Sequence, residues 1–381
     1  MRFVLTAVLI MLAAGVSAVE LRFERERIGT GTYEAAAAFD VNNDGVLDIV
    51  SGAYWYPGPH FKTANPVCML QPMDTYYDDF SDYPMDVNGD GYLDIVNGAW
   101  WGMRVEWREN PKGQPIMWTT HEVAQVGNVE RNLFWDFDGD GVPEVIPVSK
   151  PVHILRLERD TAGKGTGKFL QYTIDKGTGG HGLGAGDVNG DGHADIVLAG
   201  GWLESPADPF SVDGWVWREE FNLGSASVPI LVYDVNKDGL NDLVVGEAHN
   251  YGLYWMEQGK GPEGARAWTK HMIEEHRSQF HDLQLHDIDN DGELELVTGK
   301  RYHAHNGHDP GAEDPVGVYY YEINGGAFER VTVDYGPADS ASGAGIYFWV
   351  EDVDGNGWKD IIAPGKEGLY LFRNLGPAPG Q

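Results

Sequence analysis

A short acidic segment recurs along the chain, and its residue types are those that bind a hard divalent cation. The segment follows the pattern D-x-[DN]-x-[DN]-G-x-x-[DE], and its seven copies open at Asp40, Asp86, Asp136, Asp187, Asp234, Asp287 and Asp352. Side-chain oxygens at positions 1, 3, 5 and 9, with the carbonyl oxygen of position 7, can converge on one Ca²⁺ if the chain curls tightly. The glycine at position 6 permits that curl. The pattern therefore predicts up to seven structural calcium ions.

Each copy supplies five predicted calcium ligands, four through side chains and the position 7 residue through its carbonyl oxygen. The predicted ligands are Asp40, Asn42, Asp44, Val46 and Asp48; Asp86, Asn88, Asp90, Tyr92 and Asp94; Asp136, Asp138, Asp140, Val142 and Glu144; Asp187, Asn189, Asp191, His193 and Asp195; Asp234, Asn236, Asp238, Leu240 and Asp242; Asp287, Asp289, Asp291, Glu293 and Glu295; and Asp352, Asp354, Asn356, Trp358 and Asp360. An EF-hand would require a glutamate at position 12 and flanking helices. Position 12 is instead Ser51, Asn97 and Pro147 in the first three copies, within apolar segments that predict strands.

Histidine and arginine are concentrated in other segments, and these residue types suggest a second kind of chemistry. The densest segment is 301–309, which contains three histidines and Arg301. Because histidine titrates near neutrality and is a common metal ligand, such a cluster favours proton transfer or a second, softer metal site. The catalytic candidates are His281 or His181 as a general base, Arg131 and Arg301 as anion stabilisers, and His303 and His305 as ligands of an additional catalytic divalent metal.

Aromatic and basic residues near the same segments favour a carbohydrate ligand. Aromatic faces stack on the apolar faces of sugar rings, and charged groups hydrogen-bond to the hydroxyls. The predicted substrate-binding residues are Trp55, Trp100, Trp101, Trp202, His249, Lys150, Lys366 and Tyr347.

The spacing of the acidic loops predicts the elements that must position these residues. The loops recur at intervals of 46, 50, 51, 47, 53 and 65 residues, a period typical of propellers. One apolar segment precedes each loop and three follow before the next copy, which predicts sheets of four strands. The last repeat lacks its fourth segment, whereas residues 20–28 supply a matching one before the first loop. We predict an all-β, seven-bladed β-propeller, with a calcium loop in each blade and the ring closed by this N-terminal strand.

These repeats resemble the FG-GAP or VCBS family of calcium-loop propellers, over residues 20–375. The resemblance implies that the calcium loops line one face and that the histidine-rich and tryptophan-rich segments line the opposite face. The segments HDLQLHDIDNDG (281–292) and KRYHAHNGHDPG (300–311) are also similar to the propeller domain of aldos-2-ulose dehydratase, which eliminates water from keto-sugars. Propeller-type polysaccharide lyases share the same loop and class of chemistry.

The composition of the chain indicates its cellular compartment and excludes some classes of partner. The apolar run 3–16 predicts a signal peptide over residues 1–18, and therefore a secreted or periplasmic protein with one propeller domain over 19–381. The net charge of −32 argues against nucleic acid as a partner. Since 23 of the 59 acidic residues are predicted loop ligands, much of this charge belongs to metal sites. No later segment is long enough to span a membrane, and Cys68 is the only cysteine.

Two main classes of function remain open at this point, beside the third possibility of a structural component of the cell surface. One is a lyase or dehydratase that performs β-elimination on a keto-sugar, a keto-glycoside or a uronic-acid glycan, at the face opposite the calcium loops. The other is a non-catalytic module that binds a glycan or a protein on the same face, as adhesion-type FG-GAP propellers do. Sugar hydrolysis is less favoured, because it requires two carboxylates that flank the bond, and Glu34 and Asp82 are the only obvious acids there.

Overall fold

The computed structural model describes residues 21–177 and 181–378, and nearly all of its regular structure is β-strand. The predicted signal peptide, residues 1–18, lies outside the described residues. The first strands are β1 (Leu21–Gly29), β2 (Ala37–Phe39), β3 (Asp48–Ser51), β4 (Tyr54–Tyr56), β5 (Asn65–Pro66), β6 (Tyr83–Met85), β7 (Asp94–Ala99), β8 (Arg104–Glu109), β9 (Thr119–Gln125), β10 (Asn132–Trp135), β11 (Glu144–Pro147), β12 (Val152–Arg159), β13 (Gly165–Ile174) and β14 (Leu183–Gly186).

The second half of the chain continues in the same way. Its strands are β15 (Asp195–Leu198), β16 (Gly201–Glu204), β17 (Val216–Arg218), β18 (Ile230–Tyr233), β19 (Asp242–Gly246), β20 (Tyr251–Lys260), β21 (Arg266–Ser278), β22 (Leu283–His286), β23 (Glu295–Gly299), β24 (Val316–Asn324), β25 (Ala327–Gly336), β26 (Trp349–Glu351), β27 (Asp360–Gly365) and β28 (Gly368–Pro377). The described helices are 3₁₀-helices at Val212–Gly214, Pro262–Gly264 and Ala304–Gly307. No helix among the described residues is long and apolar enough to span a membrane.

The strands form antiparallel sheets in which neighbours in sequence are neighbours in space. Four-stranded sheets have the orders β2-β3-β4-β5, β6-β7-β8-β9, β10-β11-β12-β13, β22-β23-β24-β25 and β1-β28-β27-β26. Strands β14 to β21 form one eight-stranded sheet, in which two such meanders join where β14 pairs parallel with β18. Each acidic loop connects the first strand of a meander to its second strand, as the sequence predicts.

The first strands of the meanders follow one another around a closed ring. Strand β2 contacts β6, β10 contacts β14, β14 contacts β18, β18 contacts β22, and β26 contacts β2. The remaining junctions are made by side chains. Tyr83 of β6 stacks on Phe134 of β10 with ring centroids 3.8 Å apart, and Gln284 of β22 donates a hydrogen bond to the carbonyl oxygen of Phe348 beside β26. This radial arrangement is the predicted β-propeller.

The N-terminal strand closes the ring. Strand β1 pairs antiparallel with β28, with Arg25 opposite Phe372, so the sheet that ends the chain receives its outer strand from the beginning. Leu21 and Phe23 pack into the core cluster that contains Phe372. The prediction that residues 20–28 would close the ring is confirmed, with the strand observed at Leu21–Gly29.

The core lies between neighbouring sheets, because each strand presents one face to the next sheet. Val105 and Trp107 of β8 pack against Val145 of β11 and Leu155 of β12, for example. Full burial of such a side chain contributes about 1.5–3 kcal/mol. The ring therefore holds its first strands, and the segments that precede them, in fixed positions around the axis.

Candidate metal centre and adjoining pocket

The acidic loops are shaped by their own hydrogen bonds, so that their oxygens face inward. In the loop that opens at Asp86, Oδ1 of Asp86 accepts from the N–H of Asp90 at 3.0 Å, and Oδ2 accepts from Gly91 at 3.1 Å. Asp94 at position 9 is buried and accepts from Val87 at 2.9 Å and from Asn110 at 2.8 Å. Gly91 has φ of +89°, which a residue with a side chain rarely adopts. This carboxylate and amide oxygen set fits a hard cation.

A second cluster lies at segments that precede first strands or follow second strands. Glu130 precedes β10, His181 precedes β14, His281 precedes β22, and His249 follows β19. One potential ligand atom from each of these four side chains lies within 4.8 Å of the others. We call Glu130, His181, His249 and His281 the histidine cluster.

The three imidazoles of the histidine cluster are nearly perpendicular to one another. The His181 ring makes an angle of 79° with that of His249 and 88° with that of His281, and the latter two meet at 84°. Their centroids are 4.5 to 5.0 Å apart. One nitrogen of each ring lies within 4.8 Å of the others, which is close enough for one metal ion to contact all three.

Hydrogen bonds outside the cluster orient two of these rings. Nδ1 of His181 lies 2.5 Å from the carbonyl oxygen of Ala226, and Nδ1 of His249 lies 2.9 Å from Oδ2 of Asp309. Such partners fix the ring and leave Nε2 for a metal. Nε2 of His181 is buried and lies 2.9 Å from Oε2 of the Glu130 carboxylate. A donor set of three imidazoles and one carboxylate fits a divalent transition metal such as zinc or manganese.

Arg301 places a buried positive charge beside the histidine cluster. Its Nη1 donates to Glu130 at 2.8 Å and to Nε2 of His281 at 3.0 Å, while its Nε donates to Glu34 at 2.8 Å. Because arginine does not act as an acceptor, Nε2 of His281 accepts this hydrogen bond, and its lone pair points toward Arg301. Lys366 also contacts Glu34, at 2.8 Å.

Burial and these charges set the protonation of the cluster. Burial and then the nearby Arg301 lower the pKa of His281 well below its ordinary value, and burial lowers the pKa of His249 to about 4. Burial alone would lower the pKa of His181, but the Glu130 carboxylate raises it above its ordinary value. Burial would raise the pKa of Glu130, yet His181 and Arg301 hold it well below its usual range. Neutral His249 and His281 can act as metal ligands.

A pocket of about 130 Å³ adjoins the cluster and has mainly aromatic walls. Its lining residues are Tyr76, Phe80, Trp100, Trp101, Glu130, Arg301 and His305. Both tryptophans are 39% exposed, so their faces are available to a ligand. The pocket thus combines aromatic, apolar walls with the charged groups of the cluster, as ligand-binding pockets commonly do.

The insertion between β23 and β24 forms one side of this pocket. His305 stacks on His249 with ring centroids 4.4 Å apart, and Asn306 accepts a hydrogen bond from Thr75 at 2.8 Å. His303, His305 and Asn306 all have positive φ, between 46° and 55°. Three costly conformations of this kind within four residues are typical of functional sites.

The structure separates the predicted catalytic residues into two groups. His181, His281 and Arg301 come together, and His305 lines the same pocket. His303 instead contacts the Glu313 carboxylate and is not part of the histidine cluster. His305 belongs to a second group of side chains that could hold a metal, with His249 and Asp309, whereas His303 belongs to neither group. A metal site that includes His305 therefore stays a prediction, and His303 is not among its possible ligands.

Arg131 faces a different cavity from its neighbour Glu130. Its Nη1 lies 2.8 Å from Asp282, and its guanidinium lies 4.6 Å from the centre of the Tyr347 ring. Arg131 and Tyr347 together line a cavity between the first strands. Neither residue lines the aromatic pocket, so their predicted roles at one shared site do not fit this geometry.

The predicted substrate-binding residues are also divided. Trp100 and Trp101 line the pocket, and Lys366 lies 4.0 Å from the centre of the Tyr76 ring. Trp55 and Trp202 are only 3% and 1% exposed and pack in core clusters, which corrects their prediction as sugar platforms. Lys150 is exposed and does not line this pocket.

Sequence reasoning missed Glu130, Asp309, Tyr76 and Phe80. Glu130 directly precedes the predicted Arg131, and Asp309 is the last residue of the segment 301–309, so both were close to residues already singled out. Tyr76 and Phe80 occur in a long connection between β5 and β6 that carries no repeat signal. Their contribution depends on where that connection folds over the rim.

Comparisons with known proteins agree with the fold. A family model described as an FG-GAP-like repeat matches residues 234–298. A comparison with curated proteins found no match. Among solved structures, the chain is similar to BBS1N in complex with ARL6DN, with a TM-score of 0.53, 10% identity, and coverage of 95% of this chain and 98% of that chain. At this identity the likeness concerns the fold alone.

Two further solved structures have lower scores. One is the exotype rhamnogalacturonan lyase YesX, with a TM-score of 0.47, 12% identity, and coverage of 91% of this chain and 72% of that chain. The other is an auxiliary nutrient binding protein from Bacteroides ovatus, with a TM-score of 0.46, 10% identity, and coverage of 85% and 76%. The sheet order defines an all-β propeller protein. Within this propeller, residues 234–298 are similar to an FG-GAP-like repeat.

Proposed function

We propose that this propeller is a secreted, metal-dependent lyase or dehydratase that performs β-elimination on a keto-sugar, a keto-glycoside or a uronic-acid glycan. The observation that carries the proposal is the convergence of three perpendicular histidines and Glu130 beside a tryptophan-lined pocket. The apolar run 3–16 supports secretion. The acidic loops would hold calcium with a structural role.

The histidine cluster would hold the catalytic metal. A divalent transition metal bound there would act as a Lewis acid toward a substrate carbonyl oxygen. Elimination requires that a proton leave the carbon next to this carbonyl, that a carbon–carbon double bond form, and that the C–O bond on the following carbon break. The departing oxygen takes up a proton, which the protonated base can return to it, and leaves as an alcohol or as water.

The chain's own residues supply the other requirements. His305 lines the pocket with Nδ1 held 2.9 Å from Asp309, so its other nitrogen is available to accept a proton. Arg301 provides a fixed positive charge for the oxygen that becomes anionic. Trp100 and Trp101 offer faces on which a sugar ring can stack.

The test is an ultraviolet scan for a new conjugated enone or unsaturated uronate. The substrates would be keto-sugars, 3-keto-glycosides and uronic polysaccharides, each in calcium buffer with zinc, manganese or magnesium. Absorbance that grows with one class of substrate would establish elimination. If folded, metal-loaded protein produces no new absorbance with any of these substrates, the proposal is contradicted. That result would favour a glycan-binding module, and binding would then be measured on a glycan array.

A pair of histidine variants separates a catalytic role from a structural one. His281→Ala should lower the rate by at least about a hundredfold, since a metal ligand is removed, while the thermal midpoint stays near that of the unchanged chain. His276→Ala, an exposed histidine on β21, should change neither. Equal activity of the two variants would show that the cluster is not catalytic.

A further inference from the structure

The acidic loops share one pattern, yet one residue outside the pattern differs from sheet to sheet. Residue 10 of each loop pairs with a residue of the third strand, for example Ile95 with Arg108 and Val145 with Leu155. The residue that follows this partner is called here the facing residue. In chain order the facing residues are Pro57, Glu109, Arg156, Glu204, Glu257, Glu322 and Arg373.

In two sheets the facing residue is a glutamate whose carboxylate contacts the acidic loop. Glu109 accepts a hydrogen bond from Asn88, and Glu257 accepts one from Asn236, where both asparagines hold loop position 3. In each case a histidine of the outer strand contacts the same carboxylate. Such a glutamate adds negative charge to a loop that is already acidic.

The loop that opens at Asp136 has the opposite arrangement. Arg156 lies 2.5 Å from Asp138 and 3.3 Å from Asp140, and Arg159 also contacts Asp140. Phe210 packs 4.3 Å from the Arg156 guanidinium. The carboxylates of this loop lie close enough to hold a metal, but two guanidinium groups already supply the two positive charges that Ca²⁺ would bring.

In the loop that opens at Asp287, the side-chain ligands carry negative charge that no described positive group contacts. Its side-chain ligands are all acidic, and its facing residue is Glu322. Oδ1 of Asp287 and Oε1 of Glu322 are both buried without a hydrogen-bond partner, and Glu322 is 8% exposed. In the other loops described, Oδ1 of position 1 accepts from the N–H of position 5.

We propose that the facing residue sets the affinity of each loop for Ca²⁺. The Asp287 loop binds Ca²⁺ most tightly, whereas Arg156 and Arg159 take the place of the ion in the Asp136 loop. Ca²⁺ affinity follows the number of charged ligands, and a cation bound beside two guanidinium groups would be repelled by both. Fewer than seven calcium ions therefore bind per chain. The Asp352 loop, which Arg373 contacts at 3.2 Å, is intermediate.

The number of Ca²⁺ ions bound per chain tests whether Arg156 and Arg159 replace an ion, and this measurement does not depend on any activity. Bound Ca²⁺ per chain would be measured by equilibrium dialysis at free concentrations on the order of 10⁻⁴–10⁻³ M. Arg156→Gln/Arg159→Gln should bind one ion more than the unchanged chain. The control Arg22→Gln/Arg25→Gln removes two exposed arginines of β1 and should bind the same number. An equal count in all three folded proteins would overturn the proposal.

A variant that introduces an arginine beside another loop tests the same proposal if the double variant does not fold. Glu109→Arg places an arginine at the facing residue of the Asp86 loop, where Lys112 already contacts Asp90 at 3.4 Å. Two positive groups would then face this loop, as in the Asp136 loop, so the variant should lose one bound ion. For the tight site, Glu322→Gln should weaken the first calcium-binding event at least about tenfold. Its control is Glu329→Gln, the exposed residue opposite Glu322 on β25. An unchanged count in Glu109→Arg or an unchanged first event in Glu322→Gln would contradict the proposal.

Discussion

The ring of His305 lies parallel to that of His249, with centroids 4.4 Å apart and planes 10° apart. Asp309 joins the pair, because its two carboxylate oxygens each lie 2.9 Å from Nδ1 of one ring. A residue of the insertion thus orients both the proposed proton acceptor of the pocket and a member of the histidine cluster. The insertion and the propeller rim form one site.

Asp309→Asn tests this coupling. An asparagine retains the shape but cannot accept hydrogen bonds from both rings, so we expect metal affinity to fall by about 10–100-fold. The measurement is competition for the bound transition metal with a chromophoric chelator. Asp314→Asn, in the same insertion but bonded to Tyr251, is the control and should retain its affinity. Unchanged affinity in Asp309→Asn would show that the carboxylate does not support the metal site.

Removal of calcium should lower stability. An ion that binds only the folded state adds about 2.7 kcal/mol when its free concentration is a hundred times its Kd. We therefore expect a chelator to lower the thermal midpoint markedly, and excess Ca²⁺ to restore it. A midpoint that does not respond to the chelator would contradict the calcium assignment of the loops.

Glu367→Gln should change how stability depends on pH. Glu367 is buried, which raises its pKa to about 7. A raised carboxyl pKa means that the folded state holds its proton more tightly, so this contribution is complete below pH 4.5 and is lost as pH rises through 7. The shift corresponds to about 3 kcal/mol.

The measurement is urea unfolding of both proteins at pH 5 and pH 8. Glutamine resembles the protonated acid and does not ionise, so the variant should gain stability relative to the unchanged chain as pH rises. A difference that stays constant between the two pH values would mean that Glu367 does not titrate in this range.

Removal of β1 should destabilise the ring. A chain that begins at residue 30 lacks Leu21 and Phe23 in the core and leaves β28 as an open edge. Exposed edges promote aggregation, so we expect a lower thermal midpoint and greater aggregation, measured by light scattering during heating. A synthetic peptide of residues 21–29 should restore part of the stability. A truncated chain as stable as the full one would show that closure by β1 contributes little.

Side-chain direction explains the errors at the rim. Trp55 is buried while its neighbour Tyr54 is 39% exposed, because successive residues of a strand point to opposite faces. Glu130 and Arg131 differ in the same way, since the first faces the histidine cluster and the second faces Asp282. A prediction accurate to within one residue in the chain can therefore be wrong about the site.

The repeated loop and its spacing determined the all-β propeller class, the position of each acidic loop and the closing role of the N-terminal strand, because these depend on local residue patterns and on their period. The partners in the histidine cluster were decided only by the tertiary structure. Glu130, His181, His249 and His281 come from four different meanders, and only their arrangement around the ring brings their ligand atoms within 4.8 Å. The same holds for Arg156, whose effect on the Asp136 loop depends on strand register rather than on the loop pattern.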